Sequence, residues 1–235
     1  MTTDTTSELG PGLVLEGTAG RYELVSPLAK GGFGVTWRAR CLDDGADVVL
    51  KQLRLEQLDD WKALELFERE AQVLRTLQHP QIPAYRDLLR LGDDDAPRGL
   101  VLVQAFVEGP TLAQIQHDPA RRLEPHEMTA WFRSVLGICD YLHGRNPPVI
   151  HRDISPKNLI LREHDRRAVL IDFGTVQAAI RSATTVSSTS AGTFGYAPME
   201  QFVGRATPSS DLYGLAMTFV AVLCKAEPEE LPFDG

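Results

Sequence analysis

The spacing of apolar residues changes period partway along the chain, and that change restricts the fold more than any other feature. Between Tyr22 and about Val107 the pattern is mostly that of strands: RYELVSPLA at 21–29, GVTWRARCL at 34–42, ADVVLKQL at 46–53, AYRDLLRL at 84–91 and GLVLVQAF at 99–106. One helix, at about 61–77, interrupts them. After Gly109 the apolar residues recur every three to four positions. The spacing predicts a short helix over 111–117 and a long one over 124–144, opened by Pro125 and closed by Gly144. Trp131, Val135, Ile138 and Leu142 form one buried stripe of the long helix. Short strands flank 149–172, a Ser/Thr-rich loop fills 182–193, and an apolar helix covers 212–224. Strands gathered first and helices second define an α+β chain with a small β-rich lobe, a hinge near 104–110 and a larger helical lobe. Residues 1–20, rich in Thr and Gly and acidic, read as a flexible tail.

Length and charge narrow the partners. A chain of 235 residues is long enough for one large domain or two small lobes. Its net charge of −8 opposes nucleic acid or an anionic membrane as the main partner. The most apolar run, Leu212–Cys224, has 13 residues and is too short to span a bilayer. Cys41, Cys139 and Cys224 are odd in number and far apart, which points to no disulfide framework and no zinc site, and to a reducing cytoplasm.

Three stretches carry chemistry. In VIHRDISPKNLIL (149–161) Asp153 and Asn158 share one loop, and VLIDFG brings Asp172 to a neighbouring strand end. Two carboxylates and an amide are hard oxygen donors suited to Mg2+, with one carboxylate left over as a base. The plainer reading makes Asp and Asn turn-formers. AKGGFGVTW (29–37) lies between two strands, which weighs against a dinucleotide-binding turn; its glycines let backbone approach phosphate oxygens, and a simple hairpin turn is an equal reading. Lys51 ends the strand VVLK, where a solvated edge charge is the ordinary case. Glu70, however, falls with Phe67, Ala71 and Leu74 on the inward face of its helix, and a carboxylate facing a core needs a cation.

Taken together and in this order, the motifs resemble those of the eukaryotic-type serine/threonine protein kinases, specifically the bacterial ones, from about Tyr22 to Gly235. The resemblance implies a two-lobed kinase fold with the N-lobe at 21–107 and the C-lobe at 108–235, truncated after the central helix. It implies a glycine-rich loop over the ATP phosphates made by Ala29, Lys30, Gly31, Gly32, Phe33 and Gly34. Thr36 and Val49 would roof the adenine, and Ile160 joins the nucleotide-binding set. Lys51 would contact the α- and β-phosphates with Glu70 as its helix partner. Gln104 would be the gatekeeper, with Ala105 and Val107 offering backbone groups to adenine. Asp153 would orient the attacking hydroxyl and accept its proton, while Asn158 and Asp172 would hold Mg2+, with Mn2+ as a substitute. Thr193, in the GT of GTFGYAPME, argues against tyrosine specificity and joins the catalytic set, and Asp211 of SDLYGLA would brace the catalytic loop. The implied activity is transfer of the ATP γ-phosphoryl group to Ser or Thr of a protein substrate. Arg152 and the run SATTVSSTS imply self-phosphorylation, and a partner would cover the truncated C-lobe.

The chain departs from the family pattern at five places: Ala29 for the first loop glycine, Thr36 and Val49 in the adenine roof, Ser155 for a lysine, and Met199 for the proline before Glu200. The family's usual Arg partner for Glu200 is also missing, since no Arg follows Arg205. Ser155 matters most: it removes a cation beside the transferred phosphate, so transfer is expected to be reduced, with Lys157 as the replacement. The alternative is a pseudokinase-like domain that binds nucleotide or acts as a scaffold. Against it stands the presence of Lys51, Glu70, Asp153, Asn158 and Asp172 together.

Overall fold

The computed structural model describes residues 9–31, 34–54, 62–93, 96–173, 177–178 and 192–231. The chain divides into two compact units, Met1–Arg75 with Ala84–Phe106 and Thr76–Pro83 with Val107–Gly235.

The first unit is built on a six-stranded antiparallel sheet. Its spatial order is β1 (Val14–Glu16), β2 (Arg21–Gly31), β3 (Gly34–Cys41), β4 (Asp47–Arg54), β6 (Ala96–Ala105) and β5 (Tyr85–Asp93). Helix α1 (Lys62–Thr76) follows β4 in sequence. Alternation sorts the strands' side chains onto two faces. Val35, Trp37, Ala39, Val48, Leu50, Val101 and Val103 are buried on one of them and form the unit's core. Each large side chain so buried contributes about 1.5–3 kcal/mol before entropy is counted. Thr36, Val49 and Lys51 are half-buried on the other face, where the register sets Thr36 opposite Lys51 and Val49 opposite Gln104. Pro27, which has no N–H to give, sits where β2 shifts register against β3, and β1 covers only Arg21–Glu23 of that strand.

Residues 9–20, assigned by composition to a flexible tail, are instead part of this unit. Leu15 is buried in the core, with Leu9 and Leu13 packed against it. Thr18 Oγ1 and the amide of Ala19 donate to the buried carboxylate of Asp87 at 2.7 and 2.8 Å, and Tyr22 Oη joins them at 3.4 Å. β1 and β5 lie at opposite ends of the strand order, so these bonds join the two edges of the sheet. The Thr, Gly and acid content of 1–20 hid the Leu13–Val14–Leu15 run that makes the strand.

The second unit is mostly helical: α2 (Leu112–His117), α3 (Pro125–His143), α4 (Met199–Phe202) and α5 (Pro208–Cys224). Two short antiparallel pairs accompany them, β7 (Val149–Ile150) with β10 (Gln177–Ala178) and β8 (Leu159–Leu161) with β9 (Ala168–Leu170). Thr111 and Gln114 make a capping box for α2, and Thr207 and Ser210 make one for α5. That second box, with Pro208 in the first turn, starts α5 four residues before the expected 212. The stripe of α3 is buried, with Val135, Ile138 and Leu142 all sealed from solvent and Trp131 nearly so. Among the described residues no helix is long and apolar enough to cross a membrane.

Candidate functional site

In the first unit the expected ion pair is present. Lys51 Nζ lies 2.9 Å from Glu70 Oε2 and 3.1 Å from Oε1. Glu70 is 1% exposed, packed in the stripe with Phe67, Ala71 and Leu74, whereas the Lys51 side chain is 27% exposed. A carboxylate so placed fixes the position of the ammonium group. Gly31 and Gly34 face each other at the β2–β3 turn, and a Cβ on Gly34 would fall 1.8 Å from the carbonyl oxygen of Gln52, so only glycine fits there. Ala29 and Lys30 are exposed near the end of β2. Gly32 and Phe33 lie outside the described residues. Gln104 is buried, and the Ala105 amide already donates to Ala84 O at 2.9 Å, so the group Ala105 can offer is its carbonyl oxygen.

In the second unit the loop 151–158 is tied down at several points of its backbone. Asp211, 1% exposed near the start of α5, accepts the amides of His151 and Arg152 at 2.9 and 2.8 Å. Gln201 Nε2 donates to Arg152 O at 2.6 Å, and Thr218 Oγ1 donates to Ile154 O at 3.2 Å. A Cβ on Gly214 would come within 2.9 Å of that same Ile154 oxygen, so α5 approaches the loop where it carries glycine. His151 packs edge-on against Phe173 at 4.8 Å; its Nε2 faces Ile171 O and its Nδ1 faces the Asp153 amide. That arrangement gives a ring whose Nε2 donates and whose Nδ1 accepts. Arg152 sits at φ 69° and Asp172 at φ 61°, both in the left-handed region that side-chain-bearing residues rarely adopt.

Asp153 is the centre of this loop. Its Oδ1 accepts from the amide and the hydroxyl of Thr193 at 2.9 and 2.7 Å. Its Oδ2 accepts from Asn158 Nδ2 at 2.8 Å, with Lys157 Nζ at 3.4 Å. Asn158 Nδ2 also donates to Asp153 O, so the amide nitrogen is engaged and Oδ1 is the atom left for a cation. Asn158 O accepts from Ile171 N at 2.9 Å at the end of the β8–β9 pair, which brings Asp172, the next residue, to the same end. An amide oxygen and a carboxylate form a hard donor pair that suits a cation retaining water and phosphate oxygens, as Mg2+ does. Among the described residues no group of three His, Cys, Asp or Glu side chains forms a metal cluster of its own.

Ser155 is sealed from solvent, and its Oγ has no hydrogen-bond partner among the described residues. Lys157, two residues on, has a 55% exposed side chain and reaches Asp153. Ile160 is half-buried and bridges to Thr111. Glu200 accepts from Ser210 Oγ at 3.0 Å. The Ser/Thr run at 182–190 lies outside the described residues.

Sequence reasoning missed two groups here. His143, in the last turn of α3, places Nε2 2.8 Å from Asp211 Oδ2 and so joins the brace of the loop. Its one signal was a histidine continuing a buried stripe just before the closing Gly144. Gln201, buried beside Arg152, carried no signal, since a glutamine after Glu200 reads as surface.

The protein kinase domain family matches the chain over residues 22–232. The chain is 39% identical over 227 residues to the serine/threonine-protein kinase B of Synechocystis, covering 90% of this chain and 38% of that protein. It is 34% identical to the serine/threonine-protein kinase PknA of Nostoc, covering 90% of this chain and 38% of the relative. It is 30% identical to the serine/threonine-protein kinase PrkC of Bacillus subtilis, covering 92% of this chain and 32% of the relative. The chain thus spans well under half the length of these relatives.

Proposed function

Because the chain belongs to the protein kinase domain family, we propose that it is a serine/threonine protein kinase that moves the γ-phosphoryl group of ATP to protein hydroxyls. The observation that carries this reading is Asp153, held by Thr193 and Asn158 on a loop braced at Asp211. Asp153 accepts the proton of the attacking Ser or Thr hydroxyl. Thr193 Oγ1, at 2.7 Å, marks the place beside Oδ1 that a hydroxyl donor occupies. Lys51, fixed by Glu70, binds phosphate oxygens. Thr36, Val49, Gln104, Ala105, Val107 and Ile160 line the nucleotide, with the 29–34 turn over its phosphates. Asn158 and Asp172 would hold Mg2+, or Mn2+ in its place, which would supply positive charge to offset that of the phosphates.

Lys157 supplies the cation that Ser155 lacks. The enclosure of Ser155 supports this, since a sealed hydroxyl cannot approach a phosphate, whereas the exposed ammonium of Lys157 lies beside the proposed base. The net charge of −8 favours a protein substrate over nucleic acid, and the free buried thiols of Cys41 and Cys139 favour a reducing compartment such as the cytoplasm.

The test is incorporation of labelled phosphate from Mg-ATP into the protein itself and into a general protein acceptor. Incorporation that disappears in Asp153→Ala supports the kinase. Nucleotide-induced thermal stabilisation with no incorporation by the wild type contradicts it.

A further inference from the structure

The second unit carries a cavity of about 520 Å3 that the catalytic loop does not use. It lies between one side of α3, including Ala130 and Trp131, and the 165–167 turn joining β8 to β9. It is a half-open groove, wide enough to take a peptide segment along the surface. Its charge is unusual for so acidic a chain. The wall holds Arg133, Arg166, Arg167 and His126 against two acids, Glu127 and Asp165.

Both acids are already neutralised by arginines outside the wall. Arg162 grips Asp165 with two bonds, at 3.0 and 2.6 Å, and this guanidinium, with the Arg167 amide, holds the carboxyl down near 2 despite partial burial. Arg121 donates to Glu127 at 2.8 Å. What remains for them with Arg166 and Arg167 is long, 3.9 Å in each case. Arg133 has no carboxylate within ion-pair reach among the described residues, and its side chain is exposed at the rim. Arg166 is moreover held at φ 57°, in the left-handed region that residues with a side chain rarely adopt. The cavity therefore presents surplus guanidinium groups around a partly apolar wall made by the exposed Ala130 and the edge of the nearly sealed Trp131.

We propose that this cavity is a docking site for an acidic peptide segment of the kinase's protein substrates, its carboxylates meeting Arg133, Arg166 and Arg167 and one apolar side chain entering beside Trp131. Guanidinium forks match carboxylates two bonds at a time, which favours a short acidic peptide. An extended polyanion such as nucleic acid or a lipid surface would instead meet the repulsion of a chain carrying −8 overall. The assignment to substrates rests on the kinase reading; the binding itself does not.

The experiment is fluorescence anisotropy with the whole chain, without ATP, using a labelled peptide of glutamates flanking a single leucine. Binding is expected at low salt, weakening as salt rises. Arg133→Glu combined with Arg167→Glu is expected to weaken it about tenfold or more. The milder pair Arg133→Gln and Arg167→Gln, checked for an unchanged melting curve, is expected to weaken it less, which separates charge from folding. Self-phosphorylation of both pairs should match the wild type, because neither residue belongs to the proposed catalytic set. Absence of peptide binding, binding indifferent to both pairs, or equal affinity for a single-stranded oligonucleotide of the same charge overturns the docking site and leaves the kinase reading standing. Peptide binding by a chain that incorporates no phosphate removes the kinase reading and the substrate assignment, and keeps the cavity as a peptide site.

Discussion

The two units hold their key charges by different means. Lys51 is positioned by a side-chain contact to Glu70 across two elements, strand to helix. Asp153 stands on a loop whose own backbone is tied down at His151, Arg152, Ile154 and Asn158. A side-chain clasp sets position cheaply and releases it when one residue changes. A backbone brace spreads the same task over several bonds, so a change at its anchor is felt first as lost stability. Changes at the lysine should therefore be read chiefly in activity, with a stability cost set by the stranded Glu70 carboxylate, and changes at the loop's anchor chiefly in stability.

Substitutions can break or sharpen this contrast. The largest effect on rate is expected for Asp153→Ala, a loss of about a hundred- to ten-thousand-fold in phosphate transfer, with some loss of stability as well because Thr193 and Asn158 lose their acceptor. Lys51→Met should lower transfer about a hundredfold or more, and it should also cost stability, about 3 kcal/mol, since it leaves the buried Glu70 carboxylate without its cation. Asp211→Ala should invert the pattern: one buried amide, one partly buried amide and His143 lose their acceptor, so the protein loses about 3 kcal/mol by urea denaturation, and activity falls only as the loop loosens. Lys157→Ala should slow transfer by about ten- to a hundredfold with no change in stability, which places the missing cation at 157 and not 155. The smallest effect belongs to Ser155→Ala, within about 0.5 kcal/mol and with an unchanged rate, because the buried hydroxyl has no partner to lose. Ser155→Lys, by contrast, forces a charge into a sealed site and should destabilise by about 3–5 kcal/mol, so it restores no activity.

Much of this was legible in the chain because the physics is local. The alternation of Val35, Trp37 and Ala39 marks a strand, and the 67–70–71–74 spacing turns Glu70 inward, so its need for a cation could be read from periodicity. Pro125 and Gly144 bracket α3 for reasons that concern only neighbouring residues. What was not legible depends on contacts distant in sequence. The strand at Val14–Glu16 exists because Asp87, about seventy residues on, receives Thr18 and Ala19. The enclosure of Ser155 and the service of His143 and Gln201 around the loop follow from the approach of α5 and α4, which no local pattern records. The cavity beside α3 was invisible for the same reason: its arginines come from helix and turn segments about thirty residues apart.

The carboxylate at 153, as proton acceptor of a phosphoryl transfer, is the group on which the proposed activity depends most directly. The measurement is single-turnover phosphate incorporation by Asp153→Asn, which keeps the side chain's shape, alongside its nucleotide-induced thermal shift. Incorporation lost with the thermal shift retained is the predicted result. Incorporation at the wild-type rate would contradict it.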